Sequence, residues 1–226
     1  MDKGRRTHYL AAMSCTAKIC GLTTPETVGA AIEGRASHIG FMIFGPSPRN
    51  IDPRNAFQLA APARARNVQI VAVTVDPDDA LIDRLMAELA PDLIQLHGHE
   101  TPARVQAVAA RTGVGTIKAL SVSDSADIEA ARAYDGVAQH LLFDARPPPD
   151  SPLRGGNGVR FDWTLMAGLR FERPWFLAGG LDPWVVTEAV AQSGAPLVDV
   201  SSGVERGPGL KDAALISAFL DAVRRV

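Results

Sequence analysis

The sequence predicts a single-domain α/β protein in which eight parallel strands close a (β/α)8 barrel, the TIM-barrel architecture. Short apolar runs alternate with amphipathic stretches along the chain, and polar or glycine residues follow nearly every run. The runs that predict strands are residues 17–20, 39–44, 69–75, 93–96, 116–119, 140–144, 175–178 and 197–200. Eight strands, each followed by a helix, favour a closed barrel over an open sheet. Two of the clearest predicted helices span residues 79–90 and 211–226.

Length and composition agree with one barrel domain. The chain has 226 residues, of which 46% are hydrophobic, so it can bury a large core without disulfides. Residues 1–15 are expected to form a loosely ordered N-terminal extension, and residues 16–226 the barrel domain. The irregular stretch 145–159 is rich in proline and glycine. It follows one predicted strand and precedes the next helix, and the alternation of strands and helices continues on both sides. It is therefore interpreted as a functional loop rather than a linker between domains.

Charge, hydropathy and cysteine content argue against several classes of function. The 25 acidic and 23 basic side chains give a net charge of -2, which gives no support for nucleic-acid binding. No apolar stretch is long enough to cross a membrane. The two cysteines cannot build a disulfide framework, and the five histidines are scattered. We therefore expect no metal and a reducing, cytoplasmic environment.

Cys20 ends the first predicted strand and is the candidate reactive thiol. Thr23 or Thr24 can cap the helix that follows, and a thiol facing a helix start is readily stabilised as the thiolate. A lone cysteine is more often an inert, small hydrophobic residue. The position at a strand end favours a functional role for Cys20, whereas Cys15 lacks this context and is interpreted as structural.

Four further polar side chains lie at or after the ends of predicted strands and are candidate site residues. Asp144 follows an apolar run, and partial burial raises the pKa of a carboxyl group toward neutrality, so that it can hold a proton to donate. The alternative is an aspartate that begins a turn and pairs with Arg146. Arg49 is suited to bidentate binding of a carboxylate or phosphate, but an exposed surface arginine is more common. His97 is interpreted as a hydrogen-bonding wall residue rather than a proton shuttle. Asp199 is expected to hold a loop or contact a substrate hydroxyl.

Glycine and serine residues after the seventh and eighth strands predict a phosphate site. Gly179 and Gly180 follow one strand, and Ser201, Ser202 and Gly203 follow the next. Such loops expose backbone N–H groups and hydroxyls around a small concavity, where barrels often bind phosphate. Either loop alone could simply make a tight turn, but the two together favour phosphate.

An ordered series of motifs resembles the phosphoribosylanthranilate isomerase family, from about Ala17 to the C-terminus. The motifs are Lys18-Ile19-Cys20-Gly21-Leu22-Thr23, Ser47-Pro48-Arg49, Gln95-Leu96-His97-Gly98, Phe143-Asp144, Gly155-Gly156-Asn157-Gly158, Ala178-Gly179-Gly180-Leu181 and Asp199-Val200-Ser201-Ser202-Gly203-Val204-Glu205. The resemblance implies an Amadori rearrangement in tryptophan biosynthesis. The reaction converts N-(5-phosphoribosyl)anthranilate to 1-(2-carboxyphenylamino)-1-deoxyribulose 5-phosphate without a cofactor.

The same resemblance implies a role for individual residues. Cys20 would be the general base and Asp144 the general acid, and Arg49 would contact the anthranilate moiety. The loops near Gly180 and Ser202 would hold the phosphate, and Gly156 is expected to be a further substrate-binding residue. A small phosphosugar is thus the expected partner, bound by a monomer or a homodimer.

Two other readings remain open from the sequence. Another phosphosugar barrel would more naturally use a catalytic lysine, for which Lys18 and Lys118 are the strand-borne candidates, or a metal-binding His/Asp set. Lys18 shares a strand face with Cys20 and could instead hold the thiolate or the barrel floor. A non-catalytic phosphate-binding barrel is the second alternative, but the presence of both Cys20 and Asp144 argues against it.

Overall fold

Eight parallel strands form a closed barrel in chain order, as predicted. A computed structural model describes residues 15–146, 158 and 160–226. The strands are β1 (Thr16–Cys20), β2 (His38–Met42), β3 (Gln69–Thr74), β4 (Leu93–Leu96), β5 (Gly115–Val122), β6 (His140–Ala145), β7 (Phe176–Leu177) and β8 (Leu197–Val200). The barrel closes where β1 pairs with β8, with Ile19 opposite Val200. All eight strands therefore end at one mouth, where the active sites of such barrels lie.

Helices surround the strands, and their first turns explain where they begin. They are α1 (Pro25–Glu33), α2 (Pro53–Arg64), α3 (Asp79–Glu88), α4 (Pro102–Thr112), α5 (Ser125–Ala131), α6 (Val186–Ser193) and α7 (Ala213–Val223). Thr24 caps α1 by accepting a hydrogen bond from the backbone N–H of Thr27 at 3.3 Å. Threonine or aspartate likewise caps α2, α3, α4, α5 and α7. These caps satisfy backbone donors that the helix itself leaves unpaired.

The prediction that a helix follows every strand is only partly right. Between β6 and β7, the described residues contain a short 3-10 helix, Trp163–Met166, and no α-helix. After β8, a hairpin of β9 (Glu205–Gly207) and β10 (Leu210–Lys211) precedes α7, so Lys211 lies in a strand and not in the predicted helix. Residues 1–14 of the expected extension and Gly156 lie outside the described residues. In the part of the chain that is described, no helix has the length and apolar character needed to cross a membrane.

The apolar side chains form two cores, one on each face of the strands. The larger core fills the space between strands and helices, and Ile19, Ile39 and Phe143 are among its fully buried members. The smaller core fills the barrel interior and includes Val71 and Phe176. Two packed layers of this kind hold the strand ends in fixed positions, which a catalytic site requires.

A buried histidine helps to close the barrel floor, opposite the mouth. The ring of His38 packs edge-on against Phe176, with a centroid separation of 5.2 Å, and also faces His140. Burial, reinforced by His140 and Lys18, lowers the pKa of His38 to about 3. His38 is therefore neutral at physiological pH, and the polar end of the barrel interior is filled without adding a charge.

Candidate active site

A cleft at the barrel mouth contains nine of the predicted site residues. Its lining combines apolar side chains with a small number of convergent polar groups, as ligand pockets do. The predicted residues that line it are Cys20, Arg49, His97, Asp144, Gly179, Gly180, Asp199, Ser201 and Ser202. Sequence positions up to 182 apart thus meet in one cavity because each residue lies near or beyond the C-terminal end of a barrel strand.

Cys20 lies at the base of the cleft with its thiol next to a lysine. The side chain is 5% exposed, and Gly40 is its neighbour in register on β2. A Cβ atom at Gly40 would stand 3.1 Å from the Cys20 sulfur and 3.2 Å from Nζ of Lys18, so glycine leaves room for both groups. Burial leaves the pKa of the Cys20 thiol raised; the positive charges of Lys18 and Lys211 act to lower it, and the Asp199 carboxylate adds to the rise.

Lys18 and Asp199 form a buried ion pair beside this thiol. Lys18 Nζ donates a hydrogen bond to Asp199 Oδ1 at 2.9 Å, and the lysine side chain is fully buried. Burial lowers the pKa of Lys18, but the Asp199 carboxylate and Cys20 outweigh this effect and leave the pKa raised. Lys18 is therefore a charged group that faces both Asp199 and Cys20. The described partner of the Asp199 carboxylate is this lysine of β1.

Asp144 lies across the cleft from Cys20 and contacts a histidine. Its Oδ2 is 3.4 Å from Nε2 of His97, and Nδ1 of His97 is 2.9 Å from the amide nitrogen of Gln95. With that amide as donor, His97 carries its proton on Nε2 and directs it toward Asp144. The alternative partner of Asp144 is occupied elsewhere, because Arg146 pairs with Asp127 at 2.5 Å.

Arg49 is buried and held by a carboxylate, not exposed on the surface. Its Nε and Nη2 donate to the two carboxylate oxygens of Glu205 at 2.7 and 2.8 Å. Lys211 Nζ donates to the same carboxylate at 2.6 Å. Burial raises the pKa of Glu205, but these two cations outweigh it and hold the pKa below its usual value. The guanidinium plane is thus fixed, and its remaining N–H groups are not engaged by Glu205.

The two predicted phosphate loops meet at one side of the cleft. Gly179 and Gly180 have φ angles of 84° and 62°, a region that favours glycine. A Cβ atom at Gly179 would lie 2.5 Å from the backbone nitrogen of Ala145, so this turn packs directly against β6. Gly203 does not line the cleft. A Cβ there would be 1.9 Å from the carbonyl oxygen of Leu181, so Gly203 allows the two loops to pack together.

Sequence reasoning assigned no role to Lys211 or Glu205, which the structure places beside Arg49. Both side chains are almost fully buried, and they join Arg49 to Ser201 through hydrogen bonds. The available signal was the run Gly207-Pro208-Gly209, which is typical of a turn and predicts a hairpin in place of an early helix start. Among the described residues, no group of three or more His, Cys, Asp or Glu side chains is placed to hold a metal ion.

Comparison with known proteins identifies the family to which the chain is similar. Residues 17–222 match the family model described as N-(5'phosphoribosyl)anthranilate (PRA) isomerase. The isomerase of Caulobacter vibrioides is 70% identical over 209 residues, which is 92% of this chain and 95% of that protein. The isomerase of Paramagnetospirillum magneticum is 50% identical and covers 94% of this chain and 98% of its own length.

Solved structures agree with this match. The crystal structure of phosphoribosyl anthranilate isomerase from Thermotoga maritima superimposes with a TM-score of 0.83 at 32% identity, covering 94% of this chain and all of that one. A structure in complex with reduced 1-(o-carboxyphenylamino)-1-deoxyribulose 5-phosphate gives a TM-score of 0.79 at 31% identity over the same shares. The chain therefore belongs to the family of N-(5'-phosphoribosyl)anthranilate isomerases, enzymes of tryptophan biosynthesis.

Proposed function

We propose that the chain performs an Amadori rearrangement by general acid–base catalysis, with Asp144 as the acid and Cys20 as the base. The observation that carries this proposal is that Cys20, the last residue of β1, and Asp144, the next-to-last residue of β6, line one cleft together with Arg49 and the glycine and serine loops. A substrate held at both its ends would lie between the acid and the base.

The proposed reaction begins at the ribose ring. Asp144 gives its proton to the ring oxygen, the C1'–O4' bond breaks, and the nitrogen lone pair forms an iminium with C1'. The Cys20 thiolate then removes the proton on C2', and those electrons form the enolamine. Transfer of the C2' hydroxyl proton to the Asp144 carboxylate, and of the thiol proton to C1', gives the ketone. Both side chains return to their starting protonation states, so each turnover is complete within the chain's own residues.

The two ends of the substrate match different parts of the cleft. Arg49, fixed by Glu205, offers its remaining N–H groups to the anthranilate carboxylate. The loops at Gly179, Gly180 and Ser202 receive the phosphate. One carboxylate oxygen of Asp199 accepts a hydrogen bond from Lys18, and the other oxygen accepts a hydrogen bond from a ribose hydroxyl of the substrate. We also propose that the site is complete in a monomer, whether or not a homodimer forms, because one chain supplies all of these groups.

Lysine-based chemistry fits the cleft less well. Lys118 Nζ donates to Glu100 Oε2 at 2.6 Å, to the Gly98 carbonyl at 2.8 Å and to the Leu96 carbonyl at 3.3 Å. All three ammonium protons of Lys118 are therefore engaged in hydrogen bonds to the end of β4 and the loop that follows it. Lys18 is bound to Asp199 at the floor of the site. Both cysteines are free thiols, and a thiolate base has to stay reduced, which supports action in the cytoplasm.

The direct test is turnover of N-(5'-phosphoribosyl)anthranilate by the full chain. Mixing protein and substrate in a buffer with a metal chelator is expected to quench the substrate's fluorescence and to yield the deoxyribulose product. Full activity in chelator is expected because protein side chains make every proposed proton transfer. Absence of turnover by a folded sample, together with tight binding of the product analogue, would instead indicate a non-catalytic phosphate-binding barrel.

Replacing Ser202 by aspartate is expected to raise KM by at least about tenfold, with a smaller effect on kcat. The new carboxylate would face the substrate phosphate, and like charges at close range are strongly unfavourable. Steady-state kinetics measures the effect. Ser217→Asp, the same chemical change on the exposed face of α7, is the matched control and should leave KM unchanged. An unaltered KM for Ser202→Asp would remove the phosphate from this loop.

A further inference from the structure

The charges around Cys20 do not balance when its thiol is protonated. Near the thiol and the loops after β2 and β8, the described residues place three cations (Lys18, Arg49 and Lys211) and two carboxylates (Asp199 and Glu205). Lys18 pairs with Asp199, and Arg49 pairs with both oxygens of Glu205. Lys211 shares Glu205 with Arg49, so one positive charge is left without a carboxylate of its own among these residues.

This excess charge is buried next to the backbone that carries Cys20. The side chain of Lys211 is 1% exposed. Its Nζ donates to the backbone oxygen of Ser201 at 2.8 Å and to the Ser201 hydroxyl at 3.1 Å. That hydroxyl in turn donates to the backbone oxygen of Cys20 at 3.3 Å. The ammonium is therefore linked through one serine to the backbone of Cys20, and at a partly buried position charges interact more strongly than in water.

We propose that Lys211 is a positioning residue whose buried charge favours ionisation of the Cys20 thiol for the proton abstraction. This inference rests on the proposed role of Cys20 as base, and it adds a group that makes the buried thiol more acidic and so easier to ionise. Thiolate formation would make the cluster neutral, with three cations facing three anions. Burial leaves the pKa of Cys20 raised and that of Lys211 lowered, but the charge of each group opposes this shift in the other, so each favours the other's ionised form.

Other charged groups reach the same thiol and have to be considered with Lys211. Lys18 approaches it from β1 and Asp199 from β8, while Arg49, paired with Glu205 of β9, lines the same cleft from the loop after β2. His97 and Asp144 face it across the cleft. Lys211 is the informative position to change, because its removal leaves both the Lys18–Asp199 and the Arg49–Glu205 pairs intact.

The test is the pH dependence of Cys20 alkylation by iodoacetamide, which requires no substrate, since only the thiolate reacts. Trypsin cleaves after Lys18, so Cys15 and Cys20 fall in different peptides and their rates can be followed separately by mass spectrometry. In Lys211→Met, the ionisation of Cys20 is expected to move up by about one pH unit. At a pH below both ionisations, alkylation of Cys20 then slows about tenfold.

Two variants keep the test decisive. Lys211→Arg retains the positive charge and is expected to stay close to the wild-type alkylation profile. If Lys211→Met does not fold, Lys211→Gln, which keeps an N–H donor for Ser201, carries the same expectation. Cys15 serves as the internal reference, and its rate should be equal in every folded variant. An unshifted Cys20 alkylation profile in folded Lys211→Met would overturn the proposal. So would steady-state kinetics in which that variant changes KM and leaves kcat unaltered. Either result would leave the role of Cys20 as base to be tested separately by its own substitution.

Discussion

Replacing Cys20 by serine is expected to lower kcat by about 10²–10⁴-fold, the usual contribution of a positioned general base. Serine has nearly the same size, so the floor of the cleft beside Gly40 should keep its shape. A hydroxyl group is far less acidic than a thiol, and the nearby lysines cannot ionise it at neutral pH. The variant should therefore bind the substrate but fail to remove the C2' proton.

Cys15→Ser is the matched control for this substitution. Cys15 is also buried, but its neighbours are core residues outside the cleft. Burial raises the pKa of Cys15 to about 11, so its thiol stays protonated near neutral pH. The control is expected to retain wild-type kcat and KM, and both variants should bind the product analogue with unchanged affinity. If Cys20→Ser were as active as Cys15→Ser, Cys20 could not be the base.

The barrel could be predicted from the sequence because its strands are local apolar runs. Strands β4 and β8 begin and end at the predicted residues. Strand β2 ends two residues earlier than predicted, although Phe44 is as apolar as the strand before it. The backbone nitrogen of Phe44 instead donates to the side chain of Asn50 at 2.9 Å, which draws the chain into the turn that presents Arg49. A contact between a backbone group and a side chain six residues away leaves no periodic signal.

The positions of the site residues could be predicted, but their partners could not. Strand ends identify Cys20 and Asp144, because every parallel strand of a barrel delivers its last residue to the same mouth. Arg49 was expected to contact the anthranilate moiety, but nothing in the sequence indicated that Glu205, 156 positions later in the chain, would orient it. Such pairings depend on how the loops after β2 and β8 pack together. Only the folded structure brings these loops together, and the charge excess at Lys211 becomes visible only then.

Replacing Asp144 by asparagine is expected to lower kcat by about 10²–10⁴-fold without a large change in ligand affinity. Asparagine keeps the shape of the side chain and a polar contact with His97, so the cleft should be preserved. The N–H protons of an amide are far too weakly acidic to be given to the ring oxygen. A neutral amide is also too weak a base to accept the C2' hydroxyl proton later. Both proposed steps that pass through Asp144 are therefore lost, and kcat should fall while the affinity for the product analogue is retained.

Arg146→Gln separates this chemical role from a structural one. If Asp144 acted only as the partner of the neighbouring arginine, removing that arginine would be as harmful as removing the carboxylate. Because Arg146 pairs with Asp127 instead, Arg146→Gln is expected to keep near-native kcat. Steady-state kinetics and calorimetric binding of the product analogue on both variants give the answer. Near-native turnover by Asp144→Asn would show that another group supplies the proton, and His97, at 3.4 Å, would be the side chain to replace next.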